Sequence, residues 1–183
     1  MDIPFDVSYH FNSNLYDVPN KPLQVQKAVE WLQSQLTNNA NDTHKKIEIL
    51  GLIGVYSRML RDFSTARHAL SSAIELSESI GSLPHKTVNL IRLAHVYQWQ
   101  KQFSLSETLF EEVFAYCSNY SELEPYIDFA YQHFGKCKFD QAQYKEAQYC
   151  FEKALEIRKS KGDHFLIEST QLALDEALRR IRV

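Results

Sequence analysis

A chain of 183 residues, 44% of them hydrophobic, can build one sizeable core and is too apolar to remain disordered. A net charge of −3 gives no overall attraction to nucleic-acid phosphates, and no apolar run reaches the roughly 18 residues that cross a bilayer. Three cysteines without framework spacing fit a reducing cytoplasm, while only five glycines and five prolines leave room for long helices, so the expected class is all-α and cytoplasmic.

Residues 1–21 read as an N-terminal arm without the basic start and apolar middle of a secretory leader. Phe5, Tyr9, Phe11 and Tyr16 crowd among Asn and Asp, and Pro4, Pro19 and Pro22 interrupt any helix, so an irregular or partly helical arm is expected. Its aromatics should lie on the first helical hairpin. Residues 22–183 form one domain. Pro22 suits a first helical turn, and a leading helix over 23–37 carries Val25, Ala28, Val29 and Leu32 on one side.

Six further helices follow, near 43–60 and 63–80, 84–100 and 103–118, and 123–141 and 144–161. Ser104 with Glu107 and Ser121 with Glu124 have capping-box spacing. Gly81 and Gly162 stand where helices should end, because glycine accepts the left-handed backbone of a C-terminal cap. Arg158, Lys159 and Lys161 suit the negative pole of the helix they close. Asp163 then caps a terminal helix over 164–181, whose polar side (Glu168, Asp175, Glu176, Arg179, Arg180) should solvate the open end.

The stretch 128–157 shows how these helices pair. Tyr131, Phe134 and Gly135 share one helical face; Tyr144, Ala147, Phe151 and Ala154 share another beyond a short polar bridge. Leu90, Leu93, Ala94 and Tyr97, then Ser106, Phe110 and Val113, repeat that frame upstream. So do Leu50, Ile53 and Gly54, then Ala66, Leu70 and Ala73. A small residue thus recurs at Gly54, Ala94 and Gly135, with a period near forty. A hairpin with one uncovered apolar face must be covered by its neighbour, which is the logic of a stacked array.

This pattern resembles the tetratricopeptide repeat, whose signature runs aromatic-x2-Leu-Gly-x2-Tyr and then Ala-x3-Phe. The likeness is strongest over 44–161, with repeats at about 43–80, 84–118 and 123–161. It implies an α-solenoid, a right-handed superhelix of antiparallel helix hairpins. The sequence departs from the pattern in its longer period and in the missing closing proline, whose slots hold Glu78, Ser118 and Lys159. Where Tyr97 stands in the second repeat, the first has Ser57 and the third Lys138.

Chemistry is sparse. His133 and Cys137 are one turn apart, yet two ligands do not close a metal site, and neither HExxH nor paired CxxC occurs. Adjacent Glu111–Glu112 and Asp175–Glu176 diverge on a helix and read as solvated faces. No phosphate loop or GxSxG motif is present. Neither catalysis nor a cofactor is expected.

The resemblance implies instead a concave groove lined by the first helix of each hairpin. Carried onto this sequence, the groove residues are Arg58 and Met59, then Arg92, His95, Gln98 and Trp99, then Gln132, Lys136 and Phe139; Gly51, Leu52, Val55, Ile91, His133 and Asp140 flank them. Cations, amides and exposed aromatics together suit a protein or peptide ligand, an extended acidic one above all. A chaperone-type carboxylate clamp would want Lys and Asn where Gly51 and Val55 stand. Nucleic acid and membrane are not expected as partners, and the chain should be a monomer or weak homodimer. Two further expectations belong to other classes. Bacterial peptide-sensing regulators also resemble this chain but normally add an effector domain, for which only the arm remains. Secretion chaperones are similarly small helical repeat proteins.

Overall fold

The computed structural model describes residues 1–182. Eight helices follow one another in antiparallel succession: α1 (Pro22–Asn38), α2 (Thr43–Met59), α3 (Phe63–Ser79), α4 (Leu83–Trp99), α5 (Phe103–Asn119), α6 (Ile127–Asp140), α7 (Tyr144–Lys161) and α8 (His164–Ile181). The first five have 17 residues each. Each packs mainly on its immediate neighbours, as a helical solenoid requires.

The long period and the absent prolines have one physical cause. Arg61, Gly81, Lys101 and Ala142 adopt left-handed φ values of 64°, 65°, 60° and 58°. After each, an amide turns back to a carbonyl five residues earlier: Asp62 to Ser57, Ser82 to Ser77, Gln102 to Tyr97 and Gln143 to Lys138, at 2.9 to 3.0 Å. These are Schellman-type closures, in which backbone hydrogen bonds rather than proline end the helix. Ser57, Tyr97 and Lys138, which align as side chains only poorly, are therefore equivalent through their carbonyls. Helices of 17 residues joined by such three-residue turns repeat every twenty positions, and a hairpin every forty.

The small-residue positions prove equivalent too. Leu70, Phe110 and Phe151 lie sixteen positions after Gly54, Ala94 and Gly135, and each faces its small partner across the hairpin. A Cβ built on Gly54 would stand 2.4 Å from Leu70 Cγ, and one on Gly135 would stand 2.6 Å from Phe151 Cε1.

Several local expectations are corrected. Neither capping box forms. The turn at Lys101 starts α5 at Phe103, which puts Ser104 inside the helix, and no side chain caps it. Ser121–Tyr126 is a 3-10 turn holding Pro125, so the expected helix from 123 begins at Ile127. Side-chain caps come from Asp42, Asp62 and, as expected, Asp163. Arg158 stands in the last turn of α7 as expected, but it is also buried, with Nε 2.8 Å from Asp128 Oδ2 and Nη1 2.5 Å from Thr170 Oγ1, tying α6, α7 and α8 together.

The arm differs most. It forms a two-stranded hairpin, β1 (Tyr9–Phe11) against β2 (Asp17–Pro19), with His10 opposite Val18. Ile3 packs on the first hairpin beside Ile49, Ile53 and Ala69, and the strands run on into the concave face.

Candidate functional site

Residues four apart on a helix share a face, and the inner helices α2, α4 and α6 present theirs to one concavity. The nine expected groove residues sit on these helices: Arg58 and Met59 on α2, Arg92, His95, Gln98 and Trp99 on α4, Gln132, Lys136 and Phe139 on α6. Their exposure is what differs. Trp99 is 8% exposed and Phe139 4%, and of the nine only Arg92 is more than marginally open to solvent. The expected exposed aromatics are buried, Trp99 against Tyr16, Phe63, His95 and Arg58, and Phe139 in the core with Leu15, Phe151 and Leu174.

The β1–β2 hairpin is held by charge, stacking and a plug. Asp17 Oδ2 accepts from Arg58 Nη2 at 2.5 Å, and Oδ1 accepts from Lys136 Nζ at 3.2 Å. Burial pushes the Asp17 carboxyl up, but the Lys136 and Arg58 charges beside it outweigh that and hold it well below the usual carboxylate range. Lys136 is pushed down by its burial, with Asp17 opposing, and its ammonium sits 4.0 Å from the Phe11 ring centroid. Arg58 lies over Trp99 at 4.6 Å, and the Tyr16 ring meets Trp99 at 4.6 Å between centroids.

Beyond Asp17 the contacts reach the third repeat. Tyr16 donates its hydroxyl to Asp140 Oδ2 at 2.7 Å and accepts from Lys101 Nζ at 2.5 Å. Gln98 Nε2 donates to the same Asp140 oxygen at 3.1 Å. Leu15, at the hairpin's tip, is 1% exposed and joins Phe139, Phe151 and Leu174 in the core. It holds a left-handed φ of 61°, in a turn where the Asn12 side chain accepts the amides of Asn14 and Tyr16. Strands of three residues are marginal alone, so the seat on the groove fixes this hairpin as much as its own ladder does.

Two histidines complete the floor. Trp99 Nε1 donates to His95 Nε2 at 3.1 Å, which places the His95 proton on Nδ1. The His95 and His133 rings stand 4.4 Å apart. Burial, with Arg58, His133 and Lys136 nearby, drives His95 well below the ordinary imidazole range; burial and Lys136 do the same to His133, with Asp17 opposing. Both are neutral bases packed into the face. Among the described residues no group of three or more His, Cys, Asp or Glu side chains is arranged to hold a metal ion, and His133 and Cys137 form no such site.

Tyr9, Phe11 and Tyr16 were expected to pack on the array, but the roles of Leu15 and Asp17 and the seat in the groove were not. A signal for them existed. The arm's NLYDV segment is extended, aromatic and acidic, the very chemistry assigned to a ligand of the groove.

Comparison with known proteins agrees with this architecture. Residues 87–160 match the family model of the tetratricopeptide repeat. No curated protein matches the sequence. Among solved structures that match are the nearly identical TPR-like repeats described for a Podosopora anserina kinesin light chain, 19% identical, with a TM-score of 0.59 over 86% of this chain and 79% of that one. At that identity the likeness concerns the fold. No helix among the described residues is long and apolar enough to cross a membrane. Residues 87–160 thus match the tetratricopeptide repeat, and the same hairpin geometry runs from α2 to α7 as a TPR-like helical solenoid.

Proposed function

We propose that the chain is a non-catalytic interaction module whose concave face takes an extended acidic segment of a protein partner, at the place its own hairpin holds. Tetratricopeptide repeats generally mediate protein–protein interaction, and their curvature creates an extended concave surface. The observation that carries the finer reading is Asp17 on Arg58 and Lys136, a carboxylate from an extended segment seated on the groove's cations. A partner of similar chemistry would compete for those cations and release the hairpin. Arg58, Met59, Arg92, His95, Gln98, Trp99, Gln132, Lys136 and Phe139 would then line the opened surface.

Affinity capture from native cells tests this with three forms of the chain: the parent, Asp17→Ala, and Asp17→Ala with Arg92→Ala. The first substitution should increase recovery of the partner and the second should reverse it. Equal recovery by all three would sink the reading. Trp99→Ala is a poor probe, because Trp99 packs against Arg58, His95, Tyr16 and Phe63 and its loss would leave a cavity. A short secreted peptide among the captured molecules would make the module a sensor, and a secreted substrate would make it a secretion chaperone. With α1 and α8 closing the two ends, we take the chain to be a monomer or weak homodimer, which sedimentation checks.

A further inference from the structure

The hairpin does not fill the concave face. Between Tyr9 and Asp17 on one side and helices α2, α4 and α6 on the other remains a cavity of about 460 Å³. That lies within the roughly 300–1,000 Å³ range of small-ligand pockets. At about 30 Å³ per molecule it has room for on the order of fifteen waters.

Its charge is not balanced. Arg58 and Arg92 both line it, and the one carboxylate present is Asp17, whose two oxygens are already taken by Arg58 Nη2 and Lys136 Nζ. Arg92 has no carboxylate partner among the described residues; its side-chain hydrogen bond goes to the neutral Asn89 Oδ1, at 3.2 Å. Arg58 is 4% exposed, and its Nη1 is buried without a hydrogen-bond partner, as is His133 Nδ1. Buried guanidinium donors left unpaired are costly, and a native fold normally gives them a hydrogen-bond partner. Gly51 makes the arrangement possible. A Cβ there would stand 2.2 Å from Arg92 Nη1, so only glycine lets that guanidinium lie across α2. The other walls are flat and apolar, from Tyr9, Tyr56 and Phe129.

We propose that this cavity binds a small organic anion, a carboxylate or phosphate monoester with a flat apolar body, its charged group between Arg58 and Arg92 and its body against the aromatic walls. Guanidinium suits either oxyanion through paired N–H donors, and the aromatic walls offer buried area that a bare inorganic ion cannot use. The site exists while the hairpin is seated and needs no protein partner, so failure of the capture experiment would leave it standing.

The test uses the full chain and two indole N–H resonances in NMR titrations. Trp99 lies against Arg58 and reports on the cavity, while Trp31 on α1 is the internal control. The probes are phenylacetate, phenyl phosphate, inorganic phosphate and the neutral 2-phenylethanol. At least one of the two aromatic anions should shift Trp99 saturably and leave Trp31 unmoved, and which one does so identifies the charged group. Inorganic phosphate and 2-phenylethanol should bind at least tenfold more weakly. Arg92→Gln should weaken the preferred anion tenfold or more while retaining the helical circular dichroism spectrum. Gly51→Ala, which displaces Arg92 without removing its charge, should weaken it in the same direction. The proposal is overturned if neither anion binds saturably, if the neutral isostere or bare phosphate binds as well, or if both variants bind like the parent.

Discussion

Asp17 and Arg58 stand 41 residues apart in the chain and 2.5 Å apart in space. With Lys136 on the other oxygen, they pin the arm across the first and third repeats at once. Removing one partner of a buried ion pair costs about 3–5 kcal/mol, because the remaining charge is left without compensation. Here the hairpin can lift away and rehydrate the cations, which caps the loss. Asp17→Ala should therefore release residues 8–20 rather than unfold the solenoid. Native-state hydrogen exchange would show protection lost at the paired residues His10 and Val18, with the helical signal retained. Protection unchanged from the parent would mean that Asp17 does not hold the arm.

Leu15 gives a second, sharper test of the seat. Truncating a fully buried leucine costs about 2–5 kcal/mol, again capped by undocking. Its φ of 61° adds strain that glycine would not feel. Leu15→Ala should lower the denaturant midpoint, and Leu15→Gly should be no worse although it removes one more carbon. A clear further loss in the glycine variant would contradict the strained-tip account.

Much of the solenoid was legible because repeated burial writes repeated spacing. Gly54, Ala94 and Gly135 recur because each must admit the side chain sixteen positions on, and that constraint is visible without coordinates. The helix-ending turns were less legible. A Schellman closure uses carbonyls, so Ser57, Tyr97 and Lys138 need share nothing as side chains, and three of the four left-handed positions are not glycine. The helices that carry the expected groove residues were legible, but the burial of those residues was not. Helical spacing places Trp99 and Lys136 on the inner face without saying what covers it. The cover comes from more than a hundred positions away, as Asp17 on Lys136 illustrates. The burial of Arg158 was hidden for the same reason: its partner Asp128 sits on another helix.

The small-residue positions predict a contrast in stability. Gly54→Ala would drive a methyl to within 2.4 Å of Leu70 at a closely packed crossing. Overpacking of this kind costs about 1–3 kcal/mol, which outweighs the helix-propensity gain of up to about 1 kcal/mol from replacing glycine. Thermal denaturation should show Gly54→Ala and Gly135→Ala both destabilised. Ala94→Gly should lose stability too, by loss of propensity and of a buried methyl against Phe110. If Gly54→Ala were stabilising, the crossing would be looser than described.

Acid should weaken the fold in a window set by the two buried imidazoles. His95 faces Arg58, Lys136, Trp99 and His133; His133 faces Lys136, Asp17 and Arg58. Both are held far below the ordinary value of 6.5, so the unfolded chain takes up protons near pH 6.5 that the folded chain refuses. Stability therefore rises with pH through this range and falls as pH drops, at up to about 1.4 kcal/mol per unit for each histidine. Between pH 7.5 and 5.5 the pair should remove about 2–3 kcal/mol, measurable as a shift in the urea midpoint. Asp17 adds its own loss at more acidic pH, once the unfolded carboxylate near 3.9 begins to protonate while the folded one stays ionised. His133→Asn should roughly halve the slope between pH 6.5 and 5.5 whatever it does to the absolute midpoint. A slope unchanged in that variant would show that His133 is protonated in the folded chain, and the neutral stacked pair on the floor of the groove would have to be abandoned.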